Sequence, residues 1–373
     1  MVLPGATLGM LGGGQLGRMF VHAATAMGYR VIVLDPSPAS PAGEIAQVHL
    51  QADYDDERAL DELARECSVV TTEFENVPAQ ALQYLQGECR VYPSPDAVGI
   101  AQSRIREKQH VQSLGIPCTA FQPVCSDQDI RQAFEKIGSD LILKTARFGY
   151  DGKGQATVGS IDQAIEAWEG LDKAECILEK RIDLQTEISS VLARSSAGET
   201  SFFGIAENVH RNGILFTSTA PASVDEAIQD LARSHASKIA EDLDYCGVLA
   251  IEYFVDKSNN LYFNEMAPRT HNSGHYTIDA CYTSQFEQQV RAVCGLSLGS
   301  TVAHSAVTMV NLLGDLWQRG EPRWNDLIED TCVKLHLYGK TQARPGRKMG
   351  HFCVLAPPGE NTRDRAEQLF SRL

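Results

Sequence analysis

The sequence has no Cys-x-x-Cys pair, and its ten cysteines are scattered without paired spacing. That leaves a zinc site unsupported and argues against a disulfide framework. In a chain of 373 residues the cysteines read as reduced, mostly buried thiols of a cytosolic protein. No apolar run reaches transmembrane length, so no membrane span is expected. The opening MVLPGATLGMLGGG lacks a basic flank and is interrupted by Pro4 and glycines, so a secretory signal is not expected either. Positive charge is scarce: 33 Lys and Arg face 48 Asp and Glu, for a net charge of −15. The deficit argues against general binding to nucleic acid or anionic membranes. Any anionic substrate must then be held by a local cationic cluster. A Walker A motif, internal repeats and low-complexity tracts are also missing. What remains is an ordinary globular composition, 43% apolar and 22% charged, with length for two or three domains.

The first hundred residues alternate between strand and helix. Residues 6–11 read as a buried strand, 12–17 as a glycine turn, 18–27 as a helix ended by Gly28, and 31–34 as the next strand, closed by Asp35. Gly12, Gly14 and Gly17, with an acid after the second strand, match a dinucleotide fingerprint by spacing. A tight β-to-α turn of any purpose uses the same glycines. A helix over 56–67, a strand over 69–72, the acids Glu73 and Glu75, and a helix over 79–85 complete a doubly wound parallel pattern. Residues 101–114 read as one charged amphipathic helix, and Gly115-Ile116-Pro117 as a link. A second unit follows, with a helix over 127–137, a strand over 141–144, a glycine loop over 147–154, a helix over 161–170 and a strand over 176–179. A larger mixed unit starts near Asp183. It includes a helix over 224–243, a hairpin over 248–263, a helix over 283–294 and strands over 306–312 and 333–337.

The hairpin organises the chain. If 257–260 form its turn, Asp256 opposes Leu261, Phe254 opposes Phe263, and Glu252 opposes Glu265. Two carboxylates at ~5 Å repel by about 3 kcal/mol at an effective dielectric of ~20, against a domain stability of roughly 5–15 kcal/mol. A shared proton would offset this, and so would Mg²⁺ bridging carboxylate and phosphate oxygens, with Asn264 as a further oxygen donor. Two glutamates on a solvated face is the plain alternative. The following Pro268–His275 stretch places cationic and polar groups beside the acids, which favours a ligand.

Three further segments carry chemistry. Arg147–Gly154 has three glycines and follows Lys144, so its backbone can fold over phosphates, although a flexible hairpin tip has the same composition. Residues 177–182 end a strand with Glu179, and Glu187 follows; ordinary edge-strand charges would look alike. Arg344, Arg347 and Lys348 flank a Pro-Gly turn and converge as a phosphate-monoester site would, or as a solvated basic turn would.

Taken in order, GGGQLGRM at 12–19, GYDGKGQ at 149–155, NE-x-APR-x-HNSGH at 264–275 and RPGRKMGH at 344–351 resemble the ATP-grasp superfamily. Within it they are similar to the ligases that carboxylate aminoimidazole ribonucleotide in purine biosynthesis. The resemblance runs from Gly12 to about His351. It implies an α/β, ATP-grasp fold: a doubly wound, biotin-carboxylase-like domain over 1–105, a small mobile lid over 106–182, and a C-terminal α+β domain with a β-rich end over 183–373. It also implies ATP and Mg²⁺ as cofactors, aminoimidazole ribonucleotide and bicarbonate as substrates, and a cytoplasmic homodimer.

By matching position, Arg104, Lys144 and Lys153 meet phosphates, and Gly149, Tyr150, Asp151, Gly152, Lys153 and Gly154 close over them. Glu179, Lys180, Arg181 and Ile182 read adenine, largely through backbone groups. Glu187 holds the ribose with His210 nearby, and Glu252 and Glu265 bind Mg²⁺ beside Asn264. Tyr150, Asp151, Lys153, Arg269, His271, Asn272 and Ser273 line the ribonucleotide and bicarbonate site. Catalysis falls to Arg269, His271, Asn272 and Lys348. Arg344, Arg347 and Lys348 take the substrate phosphate and Gln15 its polar end, with Glu73 or Glu75 in further contact. The glycine turn then faces the ribonucleotide rather than NAD. The amine proton goes to His271 or to released phosphate. Phe148 departs from the family pattern, which has glycine there, and the tail after His351 carries no motif. A related ATP-grasp ribonucleotide ligase is the near alternative. An NAD-dependent oxidoreductase, resting on Gly12–Gly17 and Asp35, is the distant one.

Overall fold

Buried apolar runs such as Val31–Leu34 suit strands covered on both faces, and they build a parallel sheet. The strands β1 (Thr7–Leu11), β2 (Arg30–Leu34), β3 (Val48–Leu50) and β4 (Val69–Thr72) lie in the order β3-β2-β1-β4, all parallel. Helices α1 (Gln15–Ala26), α2 (Glu57–Glu66) and α3 (Ala79–Glu88) connect and flank them. Helix α1 starts three residues earlier than the sequence suggested. The structure is a computed structural model that describes residues 1–149 and 152–373. Tyr150 and Asp151, expected in the glycine loop, lie outside the described residues.

The helix expected over 101–114 forms with a later start, because the chain breaks at 102–103. The chain makes α4 (Pro95–Ala101) and α5 (Arg104–Ser113). Ser103 takes extended backbone between them and its hydroxyl accepts the Arg106 N–H. The Arg104 N–H bonds Ala146 O at 2.9 Å, which pins the start of α5 to the second sheet. Helix α5 is no solvated charged face, since Glu107 and Lys108 are buried. The second sheet is antiparallel, in the order β5 (Phe121–Val124), β8 (Cys176–Lys180), β6 (Leu141–Thr145), β7 (Gln155–Val158). Helices α6 (Asp127–Ile137) and α7 (Ile161–Glu169) cover it. Val124, Ile130, Leu143, Trp168 and Leu178 form a core of its own.

The third sheet has nine strands, all antiparallel. These are β9 (Leu184–Arg194), β10 (Thr200–Phe202), β11 (Ala206–Arg211), β12 (Ile214–Ala220), β13 (Gly247–Asp256), β14 (Leu261–Ala267), β15 (Ala306–Leu313), β16 (Val333–Leu337) and β17 (Lys348–Ala356). Their order is β14-β13-β9-β11-β12-β15-β17-β16, with β10 on β9. Helices α8 (Glu226–Asp242), α9 (Thr277–Ala280), α10 (Gln285–Cys294), α11 (Trp324–Ile328) and α12 (Arg363–Phe370) complete the unit. The motif-free tail is structural: it finishes β17, and α12 packs Ala366 and Leu369 against Phe352 and Val354. Met19, Phe20, Phe286, Val290 and Tyr338 share one core, so the first and third units are packed together. Among the described residues no helix is long and apolar enough to cross a membrane.

Strands β13 and β14 make the expected hairpin with two departures that cancel. Asp256 N–H bonds Asn260 O, so Val255 opposes Leu261 and Phe254 opposes Tyr262, one residue out of the expected register. Between Glu252 and Tyr253 the register shifts, leaving Asn264 as the extra residue of a bulge. Glu252 therefore does face Glu265.

Candidate active site

The three sheets enclose a cavity of about 700 Å³. Its walls gather Gln15 and Glu73 from the first unit, Arg104, Gly149 and Lys153 from around the second, and Glu252, Glu265, Arg269, His271, Arg344, Arg347 and Lys348 from the third. The acid pair lies at its floor. Burial and the charge of Glu265 push the Glu252 carboxyl above the usual carboxylate range. Burial opposes ionisation of Glu265 as well, but the Arg104 guanidinium 2.5 Å away, with Lys144 and His271, holds it well below that range. Arg104 thus supplies within the chain part of the offset that the pair requires, and its other nitrogen reaches Gly149 O at 3.4 Å. Asn264 Oδ1 is buried with no hydrogen-bond partner. Two facing carboxylates are hard oxygen donors, which fit Mg²⁺.

Beside the pair, His271 Nε2 is 3.6 Å from Glu252 Oε1. Burial, Arg269 and Lys348 hold the imidazole neutral, its pKa lowered to about 3. Its tautomer follows from its neighbours. The Ser189 hydroxyl donates to Ser273 Oγ at 2.8 Å, which leaves the Ser273 proton for His271 Nδ1 at 2.9 Å. The Ser273 N–H also points at Nδ1, at 3.3 Å. Nδ1 is an acceptor and Nε2 carries the hydrogen. Ser273, expected along the wall, lies fully buried beneath it and orients His271. Asn272 is buried with both amide atoms unpartnered among the described residues, a state that calls for a ligand or water.

At the cationic end, Arg269 Nε bonds Glu75 Oε2 at 2.6 Å, so Glu75 positions Arg269. Burial and the nearby Arg344 charge lower the pKa of Arg347, a sign that the two cations crowd one point. Lys340 Nζ holds Gln15 Oε1 and Lys348 O, each at 2.7 Å. The glycine turn tells against a dinucleotide. Glu73 accepts the N–H groups of Gly14 and Gly17, the latter at 2.7 Å. Asp35 accepts Gly13 N–H at 2.7 Å, Ser37 N–H and the Tyr54 hydroxyl. The protein's own carboxylates fill the anion seat at the start of α1.

The remaining expected residues lie off this wall, on the second sheet and its junction with the third. Lys144 Nζ is 2.9 Å from Glu179 Oε2, and the fully buried Lys108 is 3.3 Å from Oε1. Burial works against the Glu179 charge, yet the two lysines hold its pKa down to about 2. The Glu179 carboxylate is thereby consumed, which leaves backbone groups for recognition there. Lys180 and Arg181 anchor the strand end through their N–H groups to Ala120 O and Asp140 O, with Ile182 next in line. Glu187 Oε2 and His210 Nδ1 are 2.9 Å apart on β9 and β11. Gly154 O accepts Thr145 N–H at 2.8 Å. Gly152 lies against Gly213 of the β11–β12 turn, so closely that a Cβ on Gly213 would sit 2.6 Å from Gly152 Cα. Phe148 adopts a φ of 59°, backbone that favours glycine, and is 71% exposed.

Sequence reasoning missed Glu107, Lys108, Lys340 and the Asn212-Gly213 seat. Glu107 accepts Met266 N–H at 2.7 Å, and burial and Glu265 push its pKa up to about 8. Its spacing of three from Arg104, on one helix face, was the available signal. Lys340 offered only a cation shortly before the basic turn.

Known proteins supply the context for this geometry. Residues 5–102 match the ribonucleotide synthetase preATP-grasp domain, 109–286 the ATP-grasp domain, and 307–365 the phosphoribosylaminoimidazole carboxylase C-terminal domain. The N5-carboxyaminoimidazole ribonucleotide synthase of Brucella melitensis is 45% identical over 356 residues, 95% of this chain and 97% of that protein. That of Bacillus subtilis is 42% identical over 358 residues, 96% of this chain and 93% of that one. The N5-carboxyaminoimidazole synthetase of Staphylococcus aureus in complex with ADP superposes with a TM-score of 0.93 at 37% identity, covering 100% of this chain and 98% of that one. The Aspergillus clavatus enzyme with ADP and 5-aminoimidazole ribonucleotide gives 0.87 at 31%, covering 98% and 96%.

Proposed function

The chain belongs to the N5-carboxyaminoimidazole ribonucleotide synthases of the ATP-grasp superfamily, and from that membership we propose how its residues carry the reaction. The enzyme is an ATP-dependent ligase that carboxylates 5-aminoimidazole ribonucleotide to N5-carboxyaminoimidazole ribonucleotide. In our reading bicarbonate supplies the carbon. A bicarbonate oxygen attacks the γ-phosphorus of ATP, the bond to the β-phosphate oxygen breaks, and ADP leaves carboxyphosphate behind. The exocyclic amine of the ribonucleotide then takes the carboxyl carbon, and phosphate departs. Bicarbonate alone is a poor electrophile; phosphorylation gives it a leaving group.

The side chains around the cavity support the following roles. Glu252, Glu265 and Asn264 would hold Mg²⁺, which neutralises charge on the transferring phosphoryl group. Arg104, Lys144 and Lys153 face the phosphates of ATP. Gly149, Gly152 and Gly154 cover them. The edge at Glu179–Ile182 takes adenine, and Glu187 with His210 the ribose. Arg344, Arg347 and Lys348 bind the phosphate monoester, Gln15 and Glu73 meet its neighbour groups, and Arg269 steadies the carboxyl oxygens. His271 presents Nε2–H, with Asn272 beside it. Its Nδ1 lone pair is already engaged, so it donates to an oxygen, and the departing phosphate takes the amine proton. We place the first domain over 1–105, the lid over 106–182 and the C-terminal domain over 183–373, in a cytoplasmic homodimer, as the family resemblance implies.

One observation carries this reading: an acid pair fit for a hard cation shares a cavity with a cationic turn fit for a phosphate monoester. The test is ATP hydrolysis with and without 5-aminoimidazole ribonucleotide, with labelled bicarbonate. Hydrolysis should require the ribonucleotide, and label should enter an acid-labile carbamate. ATP turnover indifferent to the ribonucleotide, or label absent from the product, would leave an ATP-grasp ligase for another substrate.

A further inference from the structure

Beneath the HNSGH segment, away from the cavity wall, lies a cluster that the reaction does not use. His351 on β17 and His336 on β16 are register partners, so both side chains leave the sheet on one face. Their rings stack with centroids 4.6 Å apart. Asp279 of α9 closes the group, its Oδ2 lying 2.8 Å from His336 Nε2. One potential ligand atom from each of the three lies within 4.8 Å of the others.

Two observations separate this cluster from ordinary core histidines. His351 is fully buried and its Nδ1 pairs with the Tyr338 hydroxyl at 2.8 Å, while its Nε2 has no hydrogen-bond partner among the described residues. An imidazole oriented through one nitrogen, with the other left bare, is how metal-binding histidines are held. Second, there is an entry path. His336 is 29% exposed, and β16 is the edge strand of its sheet.

We propose that Asp279, His336 and His351 form a site for a divalent transition ion of the zinc class, distinct from the Glu252–Glu265 pair. Two imidazoles and one carboxylate suit such an ion, whereas an oxygen set suits Mg²⁺. Bonds of ~2.1 Å require donors about 3–3.5 Å apart, so the cluster contracts slightly and the rings unstack. The movable partner is His336 on the edge strand. The ion replaces the His336–Asp279 hydrogen bond and satisfies His351 Nε2.

The experiment is calorimetric titration of the chelator-treated full-length protein with Zn²⁺, in excess Mg²⁺ and ADP to occupy the acid pair. One ion per chain is expected. His336→Asn and Asp279→Asn should each weaken Zn²⁺ binding at least tenfold, while Glu252→Gln leaves it unchanged. Both substituted positions are only partly buried, and circular dichroism checks their folding. Histidine signals of His336 and His351 should shift on Zn²⁺ addition in NMR spectra of the parent protein. No saturable binding, binding that survives both substitutions, or binding removed by Glu252→Gln would each overturn the site.

Discussion

Two glutamates that face each other across a hairpin have been given opposite electrostatic surroundings. Glu252 meets burial and the charge of its partner; Glu265 meets Arg104. Equivalent substitutions should therefore differ. A carboxyl whose folded pKa is raised contributes stability that is present below its unfolded value, near 4.5, and is lost as pH rises through the folded value. Glu252→Gln removes that loss. Without nucleotide or Mg²⁺, its Tm should match the parent near pH 4.5 and exceed it by pH 8, by on the order of 1 kcal/mol in stability. Glu265 is depressed, so its contribution is present above its unfolded value and lost as pH falls through the folded one. Glu265→Gln should lower the Tm at pH 7, because Arg104 loses its charged partner, and the deficit should shrink toward acid pH. Both variants should lose turnover. Thermal scans across pH check the pair, and equal shifts for the two would contradict the assigned environments.

The elements around the cavity are joined at points of close backbone approach, and one of these joins the glycine loop to the β11–β12 turn. Gly152 and Gly213 meet with no room for a side chain. Gly213→Ala should hold the loop off its seat, lowering kcat/KM for ATP by about tenfold or more, the cost expected when a closing lid is misplaced. Gly213 has a φ of 78°, so the substitution also strains its own turn. Gly198→Ala controls for that: its φ is 87°, and the nearest atom to a Cβ there is an arginine nitrogen at 3.5 Å. Steady-state kinetics of both variants decide the matter. Similar losses would assign the effect to turn strain rather than to the loop's seat.

Such contacts show which parts of the site were legible. The acid pair was visible because a hairpin is local, and because the bulge at Asn264 corrected a one-residue error in the turn. The fate of the glycine fingerprint was not visible. Glu73 lies 56 residues from Gly17 in sequence, and its occupation of the helix start is purely tertiary. Helix α5 misled for a related reason. Within a helix read only as charged and amphipathic, Glu107 and Lys108 are each buried against a partner from a distant segment: Met266 N–H for one, Glu179 for the other. Gly213 gave no signal beyond an Asn-Gly turn.

Over the whole molecule, the division of cores matters more than the count of sheets. Helices α1 and α10 bury side chains in one cluster, and Gln289 reaches Thr71 across the same boundary at 2.9 Å. The first and third units should therefore open as one. The second unit has its own core and leans on the others chiefly through the start of α5 and polar contacts at the cavity. It should open sub-globally, at lower cost. A ligand that binds the closed arrangement adds RT ln(1 + [L]/Kd) to the cost of opening. Hydrogen exchange in low denaturant resolves this. Peptides from residues 121–180 should exchange first, those from 15–26 and 285–294 later and together. ADP with Mg²⁺ at about 100 times Kd should slow the first group by roughly 100-fold and leave the other two nearly unchanged. Exchange of 15–26 in step with 121–180, or equal protection everywhere, would mean that nucleotide binds to a single rigid body rather than beneath a separately folded lid.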